Sequence, residues 1–415
     1  MKTNIFKRTL VAGATLSAIS LLSACGSSGG ATPVVEQPTP PNTLTVQQQC
    51  EIDTFDNAPT HPSKSISWDQ DSIQFISSGV YSRVKKLADG QLIIVYSDGP
   101  AVVYQLSDDD GTTWGEQFTV ASGGDKYGYT NAEFIELNDG TWIYAWNARP
   151  TQEHGAETFQ IKTSISYDKG QTWQPEELIF SAANTFDQGV WEPVFLQLPS
   201  GELQLYFANE FPYGGSSHDQ EISMQRSFDN GISWGDVETI SYRPNSRDGM
   251  PVPIVLNDQS EIVFSIEDNG IAGEFKPVTI RTSLDDNWLT GVINAESEHR
   301  QHALHVDAQL DNGIYAGAPY IAQFPSGETI LSVQSAQCRK GTLAYLRVYL
   351  GDEQARNFAY PTTPFSTDFV KEDGEVLWSG LTVLDDETII ATSSINTGDN
   401  TNPNGVYIVK GKIQR

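Results

Sequence analysis

Basic side chains are scarce in this sequence. Twenty-five lysines and arginines stand against 53 aspartates and glutamates, so the formal net charge is −28. Proteins that bind nucleic acid neutralise its phosphates with clustered basic residues, and this composition argues against such a partner. It also disfavours a polyanionic substrate, although a few arginines gathered in a cleft can override the charge of the whole chain.

Long apolar runs are almost absent as well. The stretch from Leu10 to Leu22 is mostly apolar and small, but it is too short for a membrane span. It follows basic residues, among them Lys7 and Arg8, as the apolar region of an export signal does. This arrangement predicts that residues 1–24 are a secretory signal peptide.

Cysteine is rare, and each of the three cysteines has a predicted role. Cys25 lies in Leu22-Ser-Ala-Cys25-Gly, which resembles the lipobox of bacterial lipoproteins. The resemblance implies a lipid on Cys25 as the only membrane contact, in an outer-membrane lipoprotein that faces the periplasm or the cell surface. A chance cysteine after the apolar segment is the alternative. Cys50 and Cys338 would share a compartment in which disulfides persist, so they are a candidate disulfide pair.

Residues 25–49 are rich in glycine, serine, proline, threonine and glutamine. Such a composition cannot bury enough apolar surface to offset the entropy of ordering, so we predict a flexible tether that begins at the lipidated cysteine. Residues 50–415 would then form a single domain. That length is normal for a propeller, which grows by repetition around an axis.

Helical periodicity is lacking, and repeats take its place. The pattern S-x-D-x-G-x-[TS]-W occurs three times, about 60 residues apart, and resembles the Asp box of sialidase-like propellers. Its aspartates are Asp109, Asp168 and Asp229, and the segment Ser283-Leu-Asp285-Asp-Asn-Trp288 looks like a decayed fourth copy. In this pattern the carboxylate binds turn amides and the glycine permits positive φ, so we interpret these aspartates as structural.

A second repeat pairs an apolar strand with a turn and another strand. Six copies are present, and aligning them on their turns places one residue of each at an equivalent position: Tyr81, Asn131, Glu192, Met250, Ala318 and Trp378. The spacing is typical of four-stranded antiparallel blades. The predicted fold is all-β, a six-bladed sialidase-like propeller whose last blade is completed by residues near 65–78.

The innermost strand of each propeller blade lines the central axis, so the six equivalent residues should converge there. Glu192 is the only ionisable residue among them. The same alignment places a second ring at the ends of the next strands, with Glu267 in the blade beside that of Glu192; the ring is Asp98, Ala148, Asn209, Glu267, Ser335 and Ile395. Two carboxylates facing one cavity suit glycoside hydrolysis. A structural ion pair for Glu192 and a solvated acidic rim for Glu267 are the alternatives, with Asp98 and Asp268 as competing acids.

Four segments resemble the exo-1,5-α-L-arabinanase family of six-bladed propellers. They are Trp191-Glu192-Pro193, Asn245-Ser-Arg247-Asp248-Gly249-Met250-Pro251, Ser265-Ile-Glu267-Asp268, and Ala316-Gly-Ala-Pro319-Tyr320 through Pro325-Ser-Gly327-Glu328-Thr. The resemblance implies a retaining enzyme that releases arabinobiose from the end of linear α-1,5-L-arabinan. Glu192 matches the nucleophile and Glu267 the general acid/base, with the two carboxyl groups about 5 Å apart.

Other polar and aromatic residues beside these strands are predicted to bind the polysaccharide or oligosaccharide substrate. They are Arg83, Asn131, Trp191, Arg247, Asp248 and Tyr320. The histidine-rich run His299, His302 and His305, followed by Asp307, permits a zinc site, but its spacing favours a polar loop. We therefore predict no metal and no cofactor, and we expect a monomer.

Two alternatives to an arabinanase stay open. Arg83 resembles the first arginine of the sialidase carboxylate-binding triad, which would make the protein an exo-sialidase. Against this, the start of the fifth repeat, Gly317-Ala-Pro319-Tyr320, contains no arginine. A non-catalytic, carbohydrate-binding propeller lipoprotein is the other alternative, because this architecture hosts both activities.

Overall fold

A computed structural model describes residues 44–56, 60–214 and 217–415. The predicted signal peptide (1–24), the predicted lipidation site at Cys25 and the predicted tether as far as residue 43 lie outside the described residues. The described chain is almost entirely β-structure, and 24 strands can be traced in it. No helix in this part of the chain is long and apolar enough to cross a membrane.

The strands form six four-stranded antiparallel sheets, so the predicted fold is confirmed. The first three blades are β2 Val80–Lys86, β3 Leu92–Asp98, β4 Ala101–Ser107 and β5 Phe118–Ser122; β6 Tyr127–Glu136, β7 Trp142–Pro150, β8 Gln160–Ser166 and β9 Glu177–Ser181; β10 Val190–Gln197, β11 Leu203–Asn209, β12 Glu221–Ser227 and β13 Glu238–Ser241. The next two are β14 Asp248–Val255, β15 Glu261–Asp268, β16 Lys276–Ser283 and β17 Arg300–His302; β18 Ala316–Gln323, β19 Thr329–Ser335, β20 Tyr345–Gly351 and β21 Ala359–Thr362.

The sixth blade joins the two ends of the propeller. It consists of β22 Glu375–Val383, β23 Thr388–Asn396, β24 Gly405–Gln414 and, as its outermost strand, β1 Ser65–Ser77. The predicted closure by the N-terminal segment is therefore confirmed. The inner strand β2 contacts both β6 and β22, which completes the ring and leaves no open edge along the axis.

Apolar layers between neighbouring blades hold the ring together. Between the first two blades, Val95 and Tyr104 pack against Phe134, Trp142 and Trp146. The rings of Tyr104 and Trp142 meet edge to face, with centroids 6.2 Å apart. Side chains alternate along each strand, so both faces of a blade contribute to such layers.

The Asp boxes are turns between the third and fourth strands, and the structural role predicted for their aspartates is confirmed. In the second box, Asp168 Oδ1 accepts hydrogen bonds from Ser166 Oγ and from the Thr172 amide, both at 2.8 Å. Gly170 adopts φ 81°, which a side chain would disfavour. In the decayed fourth copy, Asp286 rather than Asp285 accepts from Thr282 Oγ, at 2.8 Å.

A short N-terminal helix corrects the predicted extent of the tether. Helix α1 spans Val46–Glu51 and continues into a π-helical turn at Ile52–Asp56, so residues 46–49 are not part of a tether. A capping box starts the helix, since the side chains of Thr45 and Gln48 each bind the backbone amide of the other. Further short 3₁₀ turns lie at Phe186–Gln188, Phe211–Tyr213 and Val306–Ala308.

Two side-chain links attach this helix to the fifth blade. The candidate disulfide is present: Cys50 and Cys338 are bonded, with their Cα atoms 5.5 Å apart. Next to it, both carboxylate oxygens of Glu51 accept hydrogen bonds from Arg347, whose side chain is fully buried. The helix forms because these links supply the tertiary contacts that a six-residue helix needs.

The disulfide closes a loop of 288 residues, so its removal should lower stability by enlarging the unfolded ensemble. We expect Cys50→Ala/Cys338→Ala to lose about 2–5 kcal/mol of unfolding free energy while keeping the native fold. Thermal and denaturant unfolding of the variant and of the oxidised and reduced wild type would measure this. Equal stability of the oxidised and reduced protein would contradict the prediction.

Candidate active site

A β-bulge interrupts the inner strand of every blade at the position that the sequence alignment singled out. The pairing register shifts there, and the bulged residue has positive φ, between 44° and 58°; the residues are Tyr81, Asn131, Glu192, Met250, Ala318 and Trp378. A bulge adds one unpaired residue to a strand and redirects its side chain. The six bulges therefore gather one residue from each blade at one end of the axis.

Three of these side chains close the axis. Tyr81, Met250 and Ala318 form one buried apolar cluster, and the Tyr81 hydroxyl lies 3.9 Å from Met250 Sδ in the blade on the opposite side of the ring. Below this floor, Lys85 forms an ion pair with buried Glu133 at 2.8 Å. These contacts close the axis at the level of the bulges, and the space beside the bulge residues is called the cavity below.

Glu192 reaches the cavity from the bulge of the third blade. Its side chain is partly exposed, and its Oε2 accepts a hydrogen bond from the Met250 amide at 2.9 Å. In three other blades, a side chain on the second strand accepts a hydrogen bond from the bulge amide of the next blade. The equivalent residue in the third blade is Ala208, whose side chain has no acceptor. Glu192 itself takes that role, which fixes one carboxylate oxygen and leaves the other directed elsewhere.

Glu267 comes from β15 of the adjacent blade. Its Oε2 accepts a hydrogen bond from the Ala318 amide at 2.7 Å, and the residue is 6% exposed, so the cavity is narrow at this acid. Two glycines make room for it. A β-carbon on Gly249 would lie 3.1 Å from Glu267 Oε1, and one on Gly317 would collide with Glu267 Oε2.

The two carboxyl groups are neighbours across the boundary between the third and fourth blades. Glu192 binds the amide of Met250, and the preceding residue, Gly249, is the cross-strand partner of Glu267. Their interaction is electrostatic as well as spatial, because the charge of Glu192 raises the pKa of Glu267. The structure therefore brings together the acid pair that the sequence singled out.

The surroundings of the two acids differ in charge. Burial and the nearby Glu192 carboxylate raise the pKa of Glu267 to about 8. Burial also raises the pKa of Glu192, but the Met250 amide and the guanidinium groups of Arg149, Arg247 and Arg83 oppose that rise. At neutral pH the proton shared by this pair belongs on Glu267, and the negative charge belongs on Glu192.

Arg149 is a site residue that sequence reasoning missed. It lies near the end of β7, where its NH2 donates to Asn131 Oδ1 at 2.6 Å and its Nε to Asn147 Oδ1 at 2.7 Å. Its guanidinium stacks 4.8 Å from the ring centroid of Trp191. Asn131 and Trp191 thus hold an arginine beside Glu192, and they are buried instead of forming an exposed sugar-binding surface. Arg149 follows Ala148 of the predicted second ring by one residue, and it belongs to neither set of aligned positions.

The second ring itself was predicted one residue out of register in five blades. Register places Glu267 level with Ser97, Asn147, Ala208, Gln334 and Ser394. The cause is the turn after Leu256, which closes on Glu261, whereas the corresponding turn after Leu198 closes on Glu202 and is one residue shorter. Alignment on turns cannot detect this insertion.

Three predicted substrate-binding residues, Asp248, Arg83 and Tyr320, are buried. Asp248 is fully buried and accepts hydrogen bonds from Arg300 and, at 2.8 Å, from Ser241 Oγ. Arg83 lies between two rings, 4.2 Å from that of Tyr81 and 5.1 Å from that of Tyr320. The Tyr320 hydroxyl accepts a hydrogen bond from Lys85 at 3.2 Å. Each of the three therefore has a partner inside the protein, and their part in substrate binding stays a prediction.

The competing acids are engaged elsewhere. Asp268 is fully buried and binds Arg243 at 2.9 Å and Arg300 at 2.6 Å. Asp98 accepts a hydrogen bond from Gln117 at 3.1 Å within its own blade. By contrast, Arg247 stays partly exposed beside Glu192; it forms an ion pair with Glu210 and a 2.5 Å hydrogen bond with Gln220.

The histidine-rich run lies on the fourth blade and the connection that follows it. His302 ends the short strand β17, and burial lowers its pKa to about 4; His305 caps the 3₁₀ turn at Val306–Ala308. Within residues 44–56, 60–214 and 217–415, no group of three or more histidine, cysteine, aspartate or glutamate side chains is arranged to hold a metal ion.

Known proteins share this architecture. A family model described as a BNR repeat-like domain matches residues 140–254. The α-L-arabinofuranosidase of Fusarium graminearum, solved with an iminosugar inhibitor, has a TM-score of 0.62 at 18% identity, over 84% of this chain and 97% of that one. The α-L-arabinanase of Penicillium chrysogenum, complexed with arabinobiose, has a TM-score of 0.60 at 19% identity, over 85% and 98%. This chain has the six-bladed propeller fold of these proteins.

A sialidase structure also matches at the level of the fold. The NanB sialidase of Streptococcus pneumoniae has a TM-score of 0.53 at 12% identity, covering 86% of this chain and 71% of that one. No curated protein sequence matches the chain. At these identities the comparisons establish the fold, and the resemblance to arabinanase propellers inferred from the motifs is confirmed at that level.

The raised pKa of Glu267 should make the stability of the protein depend on pH. The folded state keeps the Glu267 proton up to about pH 8, whereas an unperturbed glutamate loses it near pH 4.5. The folded state binds more protons between these values, so this group makes stability fall as pH rises. We expect Glu267→Gln to melt at a higher temperature relative to wild type at pH 8 than at pH 5. A melting-temperature difference independent of pH would contradict this.

Proposed function

We propose that this protein is an exo-acting retaining glycoside hydrolase that releases terminal units, arabinobiose in particular, from linear α-1,5-L-arabinan. The observation that carries the proposal is the acid pair: Glu192 and Glu267 project from adjacent blades into one cavity, in surroundings that separate their protonation states. Two carboxyl groups in unlike states are the minimum equipment for glycosidic cleavage.

The first half of the reaction uses the pair as acid and nucleophile. Glu267 transfers its proton to the glycosidic oxygen as the bond from that oxygen to the anomeric carbon breaks. The carboxylate oxygen of Glu192 that does not bind Met250 forms a bond to the anomeric carbon. The leaving chain departs with the proton, and the sugar is held as an ester of Glu192.

The second half reverses these roles. Glu267, now a carboxylate, takes a proton from water while the water oxygen bonds to the anomeric carbon and the ester bond to Glu192 breaks. Two inversions at one carbon give net retention. This course requires the carboxyl groups to lie about 5 Å apart, since a wider gap would admit a water molecule between sugar and base.

The closed floor supports attack at chain ends. Tyr81 meets Met250 from the opposite blade, so a polysaccharide cannot pass along the axis. A chain can enter only from the open side, with its terminal units in the cavity. The lengths of the units released depend on how many sugars fit between the floor and the acid pair.

A neutral sugar suits the charges around the cavity better than a sialic acid. Arg83, Arg149 and Arg247 surround Glu192, which is the feature that would favour a sialidase. Each guanidinium is engaged within the protein, however: by the Trp378 carbonyl, by Asn131 and by Glu210, respectively. The matched arabinofuranosidase and arabinanase structures, the latter complexed with arabinobiose, support a neutral arabinan substrate.

The proposal includes the location of the protein. A lipid on Cys25 would anchor a monomeric propeller to the bacterial outer membrane, facing the periplasm or the cell surface, where arabinan fragments arrive. The support is the lipobox-like segment Leu22-Ser-Ala-Cys25-Gly and the presence of a disulfide, which persists in an oxidising compartment.

Removing the nucleophile should abolish turnover without unfolding the protein. We expect Glu192→Gln to lower kcat on linear arabinan by about 10³-fold or more, because the covalent step is lost. Chromatography of the released sugars and NMR of their first-formed anomer would show arabinobiose with retained configuration in the wild type. Release of sialic acid from a sialylated oligosaccharide, with no product from arabinan, would contradict the proposed substrate.

A methyl group at Gly317 should impair the acid without touching the nucleophile. The added carbon would collide with Glu267 Oε2 and with the Tyr315 hydroxyl. We expect Gly317→Ala to reduce kcat/KM by about 10²-fold, the size of effect expected from a misplaced catalytic group. Gly313→Ala, in the turn that precedes β18, is the matched control, because a β-carbon there meets nothing within 4 Å. Equal losses in both variants would argue against the assigned role of Glu267.

A further inference from the structure

Trp378 occupies the bulge position of the sixth blade, and its side chain points into a different environment from its counterparts. It is 36% exposed, whereas Tyr81, Met250 and Ala318 at equivalent positions are at most 5% exposed. Its ring centroid lies 6.3 Å from that of Tyr81, with the ring planes tilted by 44°. Trp378 therefore stands as an exposed aromatic wall beside the floor of the cavity.

The backbone of Trp378 is held on both sides. Its amide donates to Gln334 Oε1 at 2.8 Å, and its carbonyl accepts from the Arg83 guanidinium at 2.9 Å. Its φ of 51° is unfavourable for a bulky residue, and these bonds stabilise the backbone conformation from which the ring projects toward Tyr81. A rigid aromatic face loses little conformational entropy when a ligand covers it.

The same clamp connects Trp378 to the acid. Gln334 accepts from Trp378 through its carbonyl oxygen and donates through its amide nitrogen to the Tyr315 hydroxyl at 2.6 Å. That hydroxyl and Glu267 Oε2 both lie within 2.6 Å of the point where a Gly317 β-carbon would stand. The Tyr315 hydroxyl and Glu267 Oε2 are thus no more than about 5 Å apart. A shift of Gln334 would therefore displace both the Trp378 backbone and the Tyr315 hydroxyl beside Glu267.

Trp378 lies across the ring from Glu192. The sixth blade faces the third, so Trp378 and Glu192 approach Tyr81 from opposite sides. We propose that Trp378 is a sugar-binding platform on which the C–H face of a neutral sugar unit stacks while Glu192 and Glu267 act on its glycosidic bond. This rests on the proposed function and adds the residue that selects a ring with an apolar face.

Binding of a defined oligosaccharide to an inactive parent tests the platform. Linear α-1,5-arabinotriose would be titrated calorimetrically into Glu192→Gln, with and without a second substitution. We expect Trp378→Ala to raise Kd by about tenfold or more and Trp378→Phe by about threefold, because a smaller ring keeps part of the stacked area. Thermal melting of each variant would establish that it is folded.

Trp68→Phe in the same parent is the matched control. Trp68 lies on β1 at the outer edge of the same blade, where its indole donates to Thr362 Oγ at 3.0 Å, so its replacement should leave Kd unchanged. Tryptophan fluorescence supplies a readout that needs no alanine variant. Arabinotriose should change the emission of the parent and of the Trp68 variant, and that change should disappear in Trp378→Phe.

The possible results distinguish a failure of the Trp378 platform from a failure of the proposed function. If the parent binds arabinotriose and the folded Trp378→Ala variant binds it equally tightly, the platform is refuted and the proposed enzyme stands. A fluorescence change that persists in Trp378→Phe would also refute the platform. If the parent does not bind arabinotriose, the proposed substrate is wrong, and the assignment of Trp378 to that substrate falls with it.

Discussion

Six unfavourable backbone conformations organise this molecule. At the start of each inner strand, a residue other than glycine adopts positive φ, which costs about 1–3 kcal/mol at each position. Hydrogen bonds between blades offset part of that cost. The bulge amides of Tyr81, Ala318 and Trp378 donate to Ser394, Glu267 and Gln334 of the preceding blade, and that of Met250 donates to Glu192.

Both members of the acid pair belong to this set of hydrogen bonds. Glu192 and Glu267 each accept from a bulge amide in the next blade, so the interactions that fix the ring also fix the carboxylates. The acids are therefore positioned by strands rather than by loops, which suits a reaction sensitive to small displacements. Two acids side by side in a confined site weaken the fold, and this stability is given up for unequal protonation.

Three arginines complete the electrostatics of the acid pair. Arg83, Arg149 and Arg247 favour the ionised form of Glu192, and each also donates to a group of the protein: the Trp378 carbonyl, Asn131 and Glu210, respectively. An acidic protein with a net charge of −28 thereby keeps one carboxylate charged in a confined site.

The repeats alone were enough to predict six blades, the closure by residues near 65–78, and the structural role of the Asp boxes, because each follows from local pattern and periodicity. They also singled out Glu192, since an acid at a strand position otherwise held by uncharged residues stands out in one alignment. Glu267 was found through the same alignment even though its ring was displaced by the longer turn after Leu256.

Only the tertiary structure decided which polar residues face the cavity. Asp248 lies in one of the four segments that resemble the arabinanases, and Arg83 resembles the first arginine of the sialidase triad, yet one is buried against Arg300 and the other lies between two tyrosine rings. Arg149 lies outside those segments and reaches Glu192. The sequence determined the repeat and the two acids, because periodicity is a local property. The partners and the exposure of the other side chains depend on which blades meet, and the order of residues along one chain does not contain those distances.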